Sequence, residues 1–190
     1  MDKETINIVS GLPRSGTSLM MKMLEAGGLE PLVDNVREAD VDNPKGYYEF
    51  ERVKKLPEDT EWLSEAKGKT VKVLAELIKY LPPDHNFRIV FMMRDMDEII
   101  ASQRKMMERR GEDPDAVPDQ EMRDLLRSYL KNLKIHVREQ PNMEVCYISY
   151  NDLMTDPTLS LEELEEFFDG ELDPVRMKEV IDRSLYRNKK

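Results

Sequence analysis

Ile6-Asn7-Ile8-Val9-Ser10, followed by Gly11-Leu12-Pro13-Arg14-Ser15-Gly16-Thr17-Ser18, is the stretch that decides how this chain folds. The apolar run ends in Gly and Pro, as a buried β-strand does. From Thr17 to Ala26 the residues Leu19, Met20, Met23 and Leu24 recur at helical spacing, and Gly27-Gly28 stops the helix. Glycines between a strand and a helix let the backbone curl so that successive N–H groups point at an anion. The helix start adds its partial positive charge. Ser15, Thr17 and Ser18 bring hydroxyl donors, and Arg14 brings a planar, forked cation. The stretch therefore predicts a site for a phosphorylated nucleotide. It departs from a Walker A loop at one place, because Thr17 stands where the lysine that holds the β- and γ-phosphates would be. A nucleotide with no transferable γ-phosphate fits that substitution.

Working outward, Val71 to Leu74, Arg88 to Met93 and Val145 to Ser149 read as further buried strands. Glu98 to Arg110, Gln120 to Glu139 and Leu161 to Phe168 read as helices. This alternation predicts an α/β fold with a parallel sheet covered on both faces. Asp173 to Lys190 reads as one amphipathic helix with a basic tail. Two irregular stretches, Asp34 to Phe50 (with the turn Asn43-Pro44-Lys45-Gly46) and Gly111 to Asp119, are predicted to be functional loops. At 190 residues the chain suits a single domain, 1–190.

Composition narrows the function. A net charge of -10 speaks against non-specific nucleic-acid binding. A polyanionic ligand would then need basic residues gathered locally against the global field. No stretch approaches the ~20 apolar residues of a membrane span. The N-terminus has no charged-then-apolar signal layout, which predicts a cytoplasmic protein. The one cysteine, Cys146, lies in the apolar run Val145-Cys146-Tyr147-Ile148 and is predicted to pack rather than react. His85 and His136 lack ligand spacing, so no metal is expected. The sequence carries no signature of a particular oligomeric state.

Arg94 directly follows Arg88-Ile89-Val90-Phe91-Met92-Met93, at the end of a strand, with Ser102 about two turns into the next helix. The carboxyl ends of parallel strands form the ligand crevice, and a forked cation suits a phosphate monoester.

These motifs resemble the PAPS-dependent sulfotransferases, where PAPS is 3′-phosphoadenosine 5′-phosphosulfate. Pro13 to Ser18 (PRSGTS) is similar to their 5′-phosphosulfate loop, and Arg94 to Ser102 looks like their 3′-phosphate motif. Tyr147-Ile148-Ser149-Tyr150-Asn151-Asp152-Leu153, then Asp156-Pro157, is similar to their strand-then-YEDL-then-DP segment. Asn151 replaces the more usual Glu. The resemblance, closest to small bacterial members, implies a P-loop NTPase-like sulfotransferase fold with a central parallel sheet of about five strands flanked by helices. It implies transfer of a sulfuryl group from PAPS to a hydroxyl or amine of a small-molecule acceptor, releasing PAP (adenosine 3′,5′-bisphosphate). It implies that Arg14, Ser15, Gly16, Thr17, Ser18, Arg94 and Ser102 bind the nucleotide, with Tyr150 near the adenine. Two departures stand out. Leu19 holds the place of a stacking Trp, and the late GxxGxxK element is absent, which leaves Arg187 as a substitute.

For the chemistry, Arg14 and the loop N–H groups are placed to hold the leaving 5′-phosphate. Lys72 resembles the lysine on the family's central strand that approaches the sulfate. A general base must lie on the acceptor side. Glu49 is the favoured candidate, with Glu38 and Asp40 as rivals. The basic run Gln103 to Gly111 reads either as a partner for the anionic ligands or as an ordinary surface helix. Two other functions compete: a small-molecule kinase, disfavoured by Thr17 and by Arg94 standing where a Walker B acid would, and a nucleotide-binding module without catalysis.

Overall fold

The alternation of side chains along each strand sets the architecture of the computed structural model, which describes residues 3–34, 36 and 46–186. Four strands form one parallel sheet: β1 (Ile6–Gly11), β2 (Thr70–Lys72), β3 (Phe87–Met93) and β4 (Met143–Ser149), in the order β2-β1-β3-β4. Ile6 and Ile8 of β1 and Ile89 and Phe91 of β3 point to one face, and Val9, Val90 and Met92 to the other. A strand pointing apolar side chains both ways must be covered on both faces. The first face is covered by α2 (Met96–Arg109), α3 (Asp119–Glu139) and the 3-10 turns between residues 51 and 80, which bring Trp62, Leu63 and Ile78 into the core. The second is covered by α1 (Thr17–Ala26), α4 (Tyr150–Thr155), α5 (Thr158–Phe167) and α6 (Pro174–Glu179). No helix among the described residues is long and apolar enough to cross a membrane.

Two expectations need correction. The sheet has four strands among the described residues, not about five. Next to β2 the chain makes a single parallel bridge, Pro31 with Thr70. The main chain accepts from Thr70 at Glu30 and donates to it from Leu32, but proline has no N–H to extend a ladder. The C-terminal stretch is also not one long helix. α6 covers only Pro174–Glu179, capped by Asp173, and a 3-10 turn follows at Arg183–Leu185, capped by Asp182.

The strand order places the site. From β1 the chain moves outward to β2, then returns to the other side of β1 as β3. Such a reversal opens a crevice at the carboxyl ends of the two central strands. Gly11 of β1 pairs with Met92 of β3, so the loop after β1 and Arg94 after β3 lie on either side of that crevice.

Candidate functional site

The loop after β1 depends on backbone shapes that few residues accept. Gly16 has φ +98°, and a Cβ there would lie 2.3 Å from Cδ2 of Tyr150. Gly11 is equally closed: a Cβ would meet the Ser15 hydroxyl at 2.4 Å and the Met92 carbonyl at 2.8 Å. Arg14 sits between them at φ 72°, in the left-handed region, although it carries a side chain. That conformation costs of order 1–3 kcal/mol. Nη1 of Arg94 donates to the Arg14 carbonyl at 2.9 Å, which holds the strained residue from across the crevice. The Arg14 side chain in turn donates from Nε to the Ser102 hydroxyl at 2.9 Å. Three residues of two distant motifs thus form one hydrogen-bonded unit: Arg14, Arg94 and Ser102.

The two helix starts differ. No side chain caps α1, and no acidic residue lies in its first turn, so its positive end is uncompensated. Asp95 caps α2 by accepting from the N–H groups of Asp97 and Glu98. Arg94 is nearly buried, with a side chain 8% exposed beside a Glu98 side chain 3% exposed. Its Nε donates to Glu98 Oε2 at 3.0 Å, and its guanidinium lies 4.4 Å from the centre of the Tyr150 ring. Tyr150 is packed by Gly16, by Arg94 and by the edge of Tyr186, whose ring centre is 5.6 Å away. Burial raises the Tyr150 phenol above its ordinary range.

The cleft framed by these groups has a volume of about 370 Å³, within the range of small-ligand pockets. Arg14, Lys22, Lys72, Arg94, Lys105, Arg109 and Arg110 line it, against the carboxylates of Glu49 and Asp182. In a chain of net charge -10 this is a local reversal of sign, which an anionic ligand requires. The basic run of α2 therefore faces the cleft and not bulk solvent alone. Met106 adds an apolar contact, as do Leu19, Met154, Val180 and Leu185.

On the far side lies the segment 46–50. Lys72, with a side chain 6% exposed, donates to the Tyr47 carbonyl. The Ser18 hydroxyl also donates to that carbonyl, at 3.3 Å. Lys72 Nζ lies 3.5 Å from Glu49 Oε1, and Lys54 Nζ lies 3.7 Å from Glu49 Oε2, so two ammonium groups flank one carboxylate. Tyr48 donates to Glu25 of α1 at 2.5 Å, anchoring the segment; burial and that acceptor raise its phenol pKa.

Residues 45–174 match the model of the sulfotransferase family. The chain belongs to the sulfotransferase family. The matched span contains Glu49, Lys72, Arg94, Ser102 and Tyr150 and begins after the Gly-rich loop. Among solved structures, the sulfotransferase domain from the Synechococcus PCC 7002 olefin synthase is similar at a TM-score of 0.51 and 15% identity, with 99% of this chain and 84% of that chain covered. That likeness is one of fold. No curated protein matches the chain.

Measured against what the family resemblance implied, the structure gathers Arg14, Gly16, Thr17, Ser18, Glu49, Lys72, Arg94, Ser102 and Tyr150 around one cleft. Ser15 is not among them. It is fully buried, its N–H donates to the Leu12 carbonyl, and its hydroxyl is tucked beneath Gly11 with no hydrogen-bond partner among the described residues. Arg187, Glu38 and Asp40 lie outside the described residues. Cys146 is half-buried, and burial pushes its thiol up to about 11. Sequence reasoning missed Lys22, Glu98 and the wall formed by Val180, Asp182 and Leu185. Two of these had a signal: Ser18 and Lys22 are four residues apart on α1 and share one helix face, and Glu98 lies in the first turn of α2, four residues after Arg94. The C-terminal wall had none, because only the tertiary fold returns it to the cleft.

Proposed function

We propose that this protein transfers a sulfuryl group from PAPS to a hydroxyl or amine of a small molecule, releasing PAP, and that it works in the cytoplasm. The observation that carries this reading is the linkage of the two predicted anion sites. Arg94 bonds to the Arg14 main chain and Arg14 to Ser102, on one cleft of reversed charge. In this reading the start of α1 with Arg14 takes the 5′-phosphosulfate, and Arg94 with Ser102 takes the 3′-phosphate. Tyr150 supports the loop through its contact with Gly16, and the nucleotide base lies against the apolar residues of the cleft.

The acceptor enters beside Glu49. Its hydroxyl or amine gives a proton to the Glu49 carboxylate and attacks sulfur; the bond from sulfur to the bridging oxygen of the 5′-phosphate breaks, and PAP leaves. Lys72, between Glu49 and the loop, stabilises charge on the transferring group, and Arg14 stabilises charge on the departing phosphate. A strand-end lysine in contact with the base and with a main-chain carbonyl keeps a fixed position as charge moves. Incubation with sulfur-labelled PAPS and a panel of phenols, alcohols and amines tests this. Label should move to an acceptor, or slowly to water, with PAP formed in equal amount. Binding of PAPS with neither transfer nor release would identify a nucleotide-binding module instead.

A further inference from the structure

Arg94 carries the second anion site, yet a guanidinium on a long side chain binds a phosphate well only if it is held. We infer that Glu98 and Tyr186 are positioning residues that fix Arg94 toward the 3′-phosphate of the donor, so that the C-terminal segment helps build the nucleotide site. The inference rests on the reading of Arg94 given above.

Glu98 sits one helical turn after Arg94, and each of its oxygens has separate work. Oε2 accepts from Arg94 Nε at 3.0 Å. Oε1 accepts from the Tyr186 hydroxyl at 2.8 Å and from Asn151 Nδ2 at 3.0 Å. Asn151 Nδ2 also donates to the Tyr186 oxygen at 2.8 Å, and Asn151 Oδ1 accepts from the Asp95 main chain at 2.9 Å. Asn151 must therefore turn its amide nitrogen toward Glu98. A glutamate at this position would set a second carboxylate against the first, which gives a physical reason for the asparagine.

With both oxygens of Glu98 engaged, the carboxylate has little freedom to swing, and the Arg94 guanidinium is held 4.4 Å from the centre of the Tyr150 ring. Nε and Nη1 are committed to Glu98 and the Arg14 carbonyl, while Nη2 makes no hydrogen bond among the described residues. The residue lines the cleft. Tyr186 reaches the network because the 3-10 turn Arg183–Leu185 is tied down by a bond from Arg183 to the Thr155 carbonyl at 2.9 Å. A buried carboxylate with three donors is well satisfied, and it balances a buried cation that would otherwise be costly.

The test compares PAP with adenosine 5′-monophosphate, which lacks the 3′-phosphate, by calorimetric titration. Tyr186→Phe keeps the ring on Tyr150 and removes only the hydroxyl. It is expected to weaken PAP binding about three- to tenfold, the scale of one hydrogen bond, and to change monophosphate binding by less than about twofold. The same substitution is then made in a chain carrying Arg94→Met with Glu98→Gln, where both charges are removed together so that neither is left buried alone. There Tyr186→Phe should have no PAP-selective effect. If Tyr186→Phe weakens both ligands alike, or neither, the positioning role is wrong while Arg94 keeps its own. If the Arg94→Met, Glu98→Gln chain still prefers PAP as strongly as the wild type, the assignment of Arg94 to the 3′-phosphate fails, and this inference fails with it.

Discussion

The two junctions that meet at the crevice, β1 to α1 and β3 to α2, are built in opposite ways. The first is made of backbone: glycines at φ +98° and +150°, an arginine forced into the left-handed region, and a helix start with no side-chain cap. The second is made of side chains: an aspartate cap, an arginine one residue before it, and a buried glutamate against that arginine. The difference teaches where each gets its specificity. A bare helix start and curled loop attract any phosphate through fixed dipoles. A single cation with a paired counter-charge recognises an anion at one place and rejects ligands that lack it.

The strongest way to sharpen this contrast is to change the chemistry while leaving both junctions intact. Glu49→Gln should lower sulfuryl transfer about 10²- to 10⁴-fold, the range for loss of a general base. PAP affinity should stay within about twofold; an equal loss in binding would move Glu49 to the nucleotide site. Next, Gly16→Ala breaks the first junction. A Cβ 2.3 Å from a buried ring and an unfavourable φ together predict a stability loss of about 2–5 kcal/mol in urea unfolding. Binding of PAP and of the 5′-monophosphate should fall together. At the second junction, Arg94→Ala should cost PAP binding about 1.5–3 kcal/mol more than it costs the monophosphate; the monophosphate also loses some affinity because the Arg14 carbonyl loses its donor, and Glu98 left without its cation lowers the stability of the fold. Equal losses for both ligands would make the two junctions functionally alike. The smallest effect is expected from Asp95→Ala, where loss of the α2 cap should lower stability by about 0.5–2 kcal/mol.

Much of the first junction was legible in the sequence, and less of the second. Ile6 to Ala26 announces itself because strand, glycine turn and helix follow without interruption, and local backbone preference decides the outcome. Arg94 and Ser102 were readable as positions, since one ends a strand and the other shares the following helix. What a string of residues does not display is their setting. Glu98 read as one acid among many, and its burial followed only when α4 and the C-terminal turn closed over it. Ser15 shows the opposite: its residue type suits phosphate binding, but its hydroxyl packs beneath Gly11, close to Met92. The strand count implied by the family resemblance is not met, because Pro31 makes only a single bridge beside β2. The acceptor-side loop is the least readable part, because residues chosen to meet a particular small molecule follow no periodicity.

One cleft that grips a nucleotide at both its 3′ and 5′ ends is the feature on which the proposed activity depends. Paired calorimetric titrations of the wild-type chain with PAP and with ATP in the presence of Mg²⁺ test it most directly. PAP is expected to bind at least tenfold more tightly, on the order of one charge-assisted hydrogen bond, without any need for magnesium. Tighter binding of magnesium-ATP than of PAP would contradict it.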